Sequence, residues 1–171
     1  MLEDSTDGIV QILGNNDFVV GTGFLVSKNL IATCAHVIKA VEAGPGNKVM
    51  VRFLRNGERS NTIVVPGRWY SPDEEDLFLL QLEDELPSDV KVLSLGSSAG
   101  VTSHKVYTVG FPPSIRDING IWAQGEVLGK VTEKGNSLLQ IELNQITVGF
   151  GGAPLWNESR DYVNRNHFSH L

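Results

Sequence analysis

The chain has 171 residues, of which 41% are hydrophobic and 20% charged, and its formal net charge is −6. This composition suits one domain with a proper hydrophobic core and argues against wholesale disorder. An acidic chain without a basic run is a poor candidate for binding nucleic acid, and no apolar run approaches the roughly 20 residues of a membrane-spanning helix. A single cysteine, Cys34, excludes an intrachain disulfide framework and a multi-cysteine zinc site. The acidic start MLEDSTDG lacks the layout of a signal peptide, so we expect a cytoplasmic protein without metal or cofactor.

Short runs of β-branched and apolar residues recur along the chain, separated by Gly, Asn, Pro and Asp. This pattern predicts an all-β fold with about ten strands at the spacing of a sandwich or barrel. In chain order the predicted strands are GIVQI (8–12), DFVVGTGFLVS (17–27), NLIATCAHV (29–37), KVMVRFL (48–54), NTIVVPG, DLFLLQLE, KVLSLG, HKVYTVGF, IWAQGEVLGKV and SLLQIEL. Only residues 36–43 have a helical pattern, of two turns at most. Because strands and helices do not alternate, a parallel doubly wound sheet is not expected.

The middle of the chain contains the stretch most like a linker. Residues 83–89, EDELPSD, are acidic and contain a proline. We expect them to join two β lobes of similar size, about 8–82 and about 90–163, followed by a tail at 164–171. Several glycines fall within predicted strands, where glycine typically marks a bend or bulge. They are Gly21, Gly23, Gly110, Gly125 and Gly129.

Three segments contain residue types that could carry chemistry. GTGFLVSKNLIATCAHVI contains His36, SPDEEDLFLLQLE contains Asp76, and ITVGFGGAPLW contains a glycine-rich turn. Taken singly, each has a structural explanation. A lone histidine is more often structural, Asp76 could begin a strand beside a solvated acidic run at 73–75, and glycine-rich turns are common.

Taken together and in this order, the segments resemble the trypsin-like, chymotrypsin-fold serine peptidases, most closely the bacterial disulfide-free branch that includes the HtrA-type enzymes. ATCAH resembles the family's T-A-A-H around its histidine, and Asp76 with LFLL resembles its aspartate followed by L/I/V-A-L-L. Residues 149–154, GFGGAP, resemble its G-x-S-G-G/A-P. GTGFLV and LSLGSS…VYTVGFP add support, so that the resemblance spans roughly residues 8–163. It implies two antiparallel six-stranded-type β-barrels.

The resemblance also implies roles for individual residues. His36 would be the general base, and Asp76 would fix its tautomer and stabilise the imidazolium. Gly149 and Gly151 would donate backbone N–H groups to an oxyanion. Where the family has its nucleophilic serine, however, this chain has Gly151, which carries no side chain. Either the chain is an inactivated form of a serine endopeptidase, or it is a natural pseudopeptidase that binds peptides or partner proteins.

Substrate preference is implied only weakly. By position relative to Gly151, Gln145 would lie near the bottom of the S1 pocket, with Ile146 and Thr147 beside it. None of the three is charged, so a neutral or modestly polar P1 residue is expected. The residues after Gly151 are fewer than the two further strands and terminal helix of the family require. We therefore expect the second barrel to be incomplete at its C-terminal end.

Other site hypotheses are weaker. Cys34 with His36 could form a Cys–His dyad, but two residues apart along a strand is too close for attack geometry, and a buried cysteine is usually an apolar filler. His167 and His170 could bind a metal, although no carboxylate or cysteine cluster supports them, and the sequence GTG at 21–23 precedes a strand rather than the helix of a nucleotide loop. A β-barrel scaffold with a chance motif match is a third interpretation. The expected partners are a peptide or protein substrate and further domains or a regulatory protein, without nucleic acid or membrane.

Overall fold

The computed structural model describes residues 6–66, 77–112, 119–133, 136–144 and 149–164. These residues form twelve strands and one short α-helix, α1 (Ala35–Ala40). The strands are β1 (Ile9–Leu13), β2 (Val19–Ser27), β3 (Leu30–Thr33), β4 (Lys48–Phe53), β5 (Arg59–Val64), β6 (Phe78–Leu82), β7 (Leu95–Gly96), β8 (Lys105–Gly110), β9 (Ile121–Glu133), β10 (Asn136–Leu143), β11 (Trp156–Asn157) and β12 (Tyr162–Asn164). The ten predicted strands are all present. The two that the pattern missed, β11 and β12, have only two and three residues.

The first six strands form a closed antiparallel barrel in the order β1-β2-β3-β6-β5-β4, with β4 pairing back onto β1. Alternation puts every second side chain into the barrel, as the 48–54 pattern predicts for Val49, Val51 and Phe53, all of which are buried. The barrel core also contains Val10, Ile12, Leu25, Ile31, Val64, Phe78 and Leu80.

The second lobe is a six-stranded sheet in the order β10-β9-β8-β11-β12-β7. Its pairings are antiparallel except for the parallel contact of β12 with β7. Within the part of the chain that the structure describes, this sheet does not close, and β10 and β7 are its edges. The prediction of an all-β fold with two antiparallel lobes, the first of them a closed barrel, is therefore confirmed, whereas the expected gap at the C-terminal end of the second lobe stays a prediction.

The two lobes pack against each other through a shared apolar cluster. Ile9, Phe24 and Ala32 of the first barrel contact residues of the second sheet within this cluster. Those residues are Val109, Phe111, Trp156 and Val163. Both the turn at Gly149–Gly152 and the helix α1 lie close to the first barrel, and this packing sets the geometry of the candidate site.

One boundary differs from the prediction. The strand expected over 29–37 ends at Thr33, and Cys34 has an extended backbone that leads directly into α1. The Cys34 carbonyl accepts hydrogen bonds from the amides of Val37 (3.2 Å) and Ile38 (3.3 Å). The backbone therefore changes at Cys34 from hydrogen bonds between strands to hydrogen bonds within the helix. The sequence pattern did not detect this change because apolar residues continue through it.

Candidate active site

The segment that carries His36 is fixed by buried neighbours. Cys34 is 2% exposed, Ala35 1% and Val37 4%, while His36 itself is exposed to solvent. This follows from the helical turn, because three buried side chains direct the remaining one outward. Apolar packing therefore holds the backbone of the segment in place while His36 stays accessible.

The glycine-rich turn is fixed mainly through its carbonyl groups. The Gly149 carbonyl accepts hydrogen bonds from the Phe111 amide (3.1 Å) and from the Thr22 hydroxyl (3.3 Å). The Phe150 carbonyl accepts one from the Ala153 amide (3.0 Å), and the Gly151 carbonyl accepts one from the Thr22 amide (2.9 Å). The turn is thus tied both to its own lobe and to β2 of the first barrel.

Two of the three glycines in this turn are required by the backbone. Gly149 has φ +107°, and a Cβ there would lie 2.5 Å from the carbonyl oxygen of Phe111. Gly152 has φ +80°, and a Cβ there would overlap the carbonyl oxygen of Thr22. Both positions combine a left-handed backbone with a close approach of another chain segment, so that only glycine fits without strain.

Gly151 is different. Its φ is not in the left-handed region, and a Cβ would meet only Val37 Cγ2 at 3.3 Å and Cys34 Sγ at 3.5 Å. These are close to ordinary van der Waals distances, and the side chain of Val37 needs to give by only a few tenths of an ångström. The fold therefore leaves room for a Cβ at position 151 with only a small shift of Val37. Such a side chain would lie against the residues on either side of the Ala35–His36 dipeptide.

The fixed carbonyls also determine where one amide of the turn points. In a planar trans peptide, the C=O and N–H groups point in opposite directions. Because the Phe150 carbonyl turns inward to Ala153, the Gly151 N–H points the other way. Among the hydrogen bonds of the described residues, neither the Gly149 nor the Gly151 amide donates one. The Gly151 N–H is therefore the amide of this turn whose direction the described residues define.

Phe150, which lies between Gly149 and Gly151 in the chain, anchors the turn to the second lobe. Its side chain is fully buried, and a Cβ added to Gly110 of β8 would overlap its ring. This close contact explains one of the glycines that the sequence placed inside a strand.

Several predicted site residues are not among those the structure describes. Asp76 and the three predicted S1 residues, Gln145, Ile146 and Thr147, lie outside the described residues, so their roles remain predictions. Phe78, two positions after Asp76 in the sequence, pairs with Thr33 directly before Cys34. The strand that follows Asp76 in the chain therefore begins beside the segment that carries His36.

Cys34 is buried, as its interpretation as an apolar filler predicts. Cys34 precedes the helix rather than lying within a strand, so the prediction that it shares a strand with His36 is wrong. Its sulfur is instead close to the position of a Cβ on residue 151. His167 and His170 lie outside the described residues. In the described ranges, no three His, Cys, Asp or Glu side chains cluster in a way that could hold a metal ion.

Two residues of the site were missed at the sequence level. Thr22 and Thr33 are both fully buried, and the Thr33 hydroxyl donates a hydrogen bond to the Thr22 carbonyl (2.8 Å). Both lie in apolar strands, where threonine is common, so no local pattern distinguishes them. The available signal was the GTG triplet, because glycines on both sides of a strand residue indicate a close approach of other backbone.

Comparison with known proteins identifies the family of the chain. A model of the trypsin-like peptidase domain matches residues 21–163, and the chain therefore belongs to that family. The match includes both lobes and both segments of the site that are described above. Among curated proteins, none matches the sequence.

No helix in the described residues is long and apolar enough to cross a membrane.

Solved structures share the fold at low sequence identity. The MamO protease domain from Magnetospirillum magneticum superposes with a TM-score of 0.68 at 16% identity, over 95% of this chain and 84% of that one. Deg5 gives 0.70 at 22% identity, over 95% and 79%. An inactive serine-to-alanine mutant of Rv3671c from M. tuberculosis gives 0.63 at 20% identity, over 94% and 77%.

Proposed function

We propose that this chain is a trypsin-like serine endopeptidase domain that lacks its nucleophile because Gly151 occupies the serine position. His36 would act as the general base and acid, and Asp76 would orient it. The amides of Gly149 and Gly151 would bind the oxyanion. The expected ligands are peptides or extended protein segments, which the domain would bind without forming an acyl-enzyme.

The observation that carries this proposal is the contrast within the glycine-rich turn. Gly149 and Gly152 are required by backbone geometry, whereas Gly151 is not. A side chain at position 151 would also lie against Cys34 and Val37, beside His36. This contrast supports the proposal that the turn is one that would present a nucleophile if residue 151 carried a side chain.

The chemical consequence is large. A serine hydroxyl is the group that attacks the substrate carbonyl, and removal of the nucleophile from a triad costs about 10⁶-fold in rate. Backbone donors and the binding cleft do not depend on that side chain, so ligand binding is expected to survive.

The test is labelling by a fluorophosphonate, which reacts with an activated serine. The chain as it stands should not be labelled, whereas Gly151→Ser should be. Gly151→Ala is the matched control, because it adds the same Cβ without a hydroxyl and should stay unlabelled. Adding His36→Ala to the Gly151→Ser chain should abolish labelling. Absence of labelling in Gly151→Ser, with the chain shown to be folded, would contradict the endopeptidase proposal.

A second candidate function is a pseudopeptidase that binds peptides or partner proteins through the same cleft. It is favoured by the observation that every hydrogen bond described for the turn involves backbone groups or Thr22, so none of them requires a side chain at residue 151. Screening a peptide library for binding to the unmodified chain, alongside cleavage by Gly151→Ser, separates the two functions. Binding with no cleavage by the serine variant favours the pseudopeptidase.

A further inference from the structure

Thr22 is placed where the first barrel and the turn of the second lobe come closest. It lies in β2 between Gly21 and Gly23. A Cβ on Gly21 would overlap the methyl groups of Val37 and lie 3.1 Å from the Gly151 carbonyl oxygen. The absence of a side chain at Gly21 therefore lets β2 approach the turn closely enough for direct hydrogen bonds.

Thr22 uses three of its polar groups in this contact. Its amide donates to the Gly151 carbonyl (2.9 Å), and its hydroxyl donates to the Gly149 carbonyl (3.3 Å). Its own carbonyl accepts a hydrogen bond from the Thr33 hydroxyl of β3 (2.8 Å), so Thr22 is itself held in place by the neighbouring strand. Thr22 thus contacts the first and third residues of the turn, the two whose amides we propose to bind the oxyanion.

The hydroxyl contact matters because glycine-rich backbone is easily rotated. Gly149 and Gly152 have no Cβ to restrict them, so the orientation of the peptide planes depends on what holds their carbonyls. Donors bind a developing oxyanion well only when they are already oriented before the reaction. A hydrogen bond from the first lobe to the Gly149 carbonyl therefore restricts rotation of the peptide planes in the turn.

We propose that Thr22 is a positioning residue, whose hydroxyl holds the Gly149 carbonyl and thereby keeps the turn in its anion-binding arrangement regardless of the residue at 151. The consequence for catalysis rests on the function proposed above, whereas the effect on the turn does not. Thr33 holds Thr22 through its carbonyl, and the Thr33 hydroxyl oxygen also lies against Gly152, since a Cβ there would come within 2.5 Å of it.

The first experiment uses the unmodified chain, with Gly151 in place. The amides of Phe111 and Ala153 donate to the turn, so their hydrogen exchange, followed by NMR, reports on its stability. Thr22→Val keeps the β-branched shape and removes the hydroxyl, and should accelerate exchange at both amides roughly two- to tenfold. Thr22→Ser should restore slow exchange.

Thr62→Val is the matched control, because it removes a fully buried hydroxyl that donates to a strand carbonyl, that of Val49 (2.8 Å), in β5, which does not pair with β2. It should lower the melting temperature as Thr22→Val does, yet leave exchange at the Phe111 and Ala153 amides much closer to that of the unmodified chain. If Thr22→Val leaves both amides unchanged, or if both threonine variants accelerate them equally, the inference is wrong.

The second experiment uses the Gly151→Ser chain and measures the kinetics of fluorophosphonate labelling. Adding Thr22→Val should lower the maximal labelling rate constant by roughly tenfold, with little change in the reagent concentration that gives half of it. Thr22→Ser should retain the rate. If Gly151→Ser is not labelled at all, the proposed function fails, while the amide exchange still decides the role of Thr22.

Discussion

The two sides of the candidate site are built by different kinds of interaction. The His36 segment belongs to a closed barrel and is held by buried apolar side chains. The turn at Gly149–Gly152 belongs to a sheet that stays open in the described residues, and backbone hydrogen bonds and glycines hold most of it. Apolar side chains can shift to absorb part of a change in side-chain volume. Backbone atoms that are already in contact with another segment cannot shift in this way, so an added atom there is costly. The two sides should therefore respond differently to substitution.

The largest effect is expected at Gly152. Replacing it with alanine forces a Cβ into the left-handed region and against the carbonyl oxygen of Thr22. The two penalties together should lower the free energy of unfolding by about 3 kcal/mol or more. Gly151→Ala should change it by less than about 1 kcal/mol, since its Cβ meets only side-chain atoms. Urea unfolding of both variants measures the difference, and equal losses would remove the distinction between the two glycines.

A smaller effect is expected on the other side of the site. Val37→Ala removes two methyl groups that are packed against β2, and the side chain is 4% exposed. The loss should be about 2 kcal/mol, part of it from the cavity that remains. Lys39→Ala, at an exposed position on the same helix, should stay within about 0.5 kcal/mol. Urea unfolding of this pair checks whether packing holds the His36 segment, and a Val37→Ala loss as small as that of Lys39→Ala would contradict it.

The smallest effect is expected at Tyr107, far from the site on the second sheet. Partial desolvation raises the pKa of its phenol, and so do the charge of Glu158 and the hydrogen bond from the Tyr107 hydroxyl to that carboxylate. A raised pKa in the folded state stabilises the fold at lower pH, and this contribution is lost as pH rises past 10 toward the folded value. The difference in phenolate absorbance between the unmodified chain and Tyr107→Phe should have its midpoint above pH 10. A midpoint at or below pH 10 would contradict the assigned environment, and Glu158→Gln should lower it.

Much of the fold could be predicted because its signals are local. Alternation in β4 put Val49, Val51 and Phe53 on one face, and the structure buries all three. The helix after Thr33 was predicted near its position, but its start was placed late and the strand before it too long. The helix begins at Ala35 because of hydrogen bonds to the Cys34 carbonyl, which no periodicity shows. The short β11 is defined by its pairing with β12, which follows it closely, and with β8, which lies far earlier in the sequence.

The sequence by itself determined the family resemblance, the order of His36, Asp76 and the glycine-rich turn, and the absence of a hydroxyl at position 151. It did so because these are properties of residue type and local order. Only the tertiary structure decided which glycines the turn requires and which residue holds its carbonyls. Those answers depend on distances between the turn and β2, which lie 127 residues apart in the chain at the Thr22–Gly149 hydrogen bond. Contacts of that separation follow from the packing of the two lobes, and no local pattern encodes them.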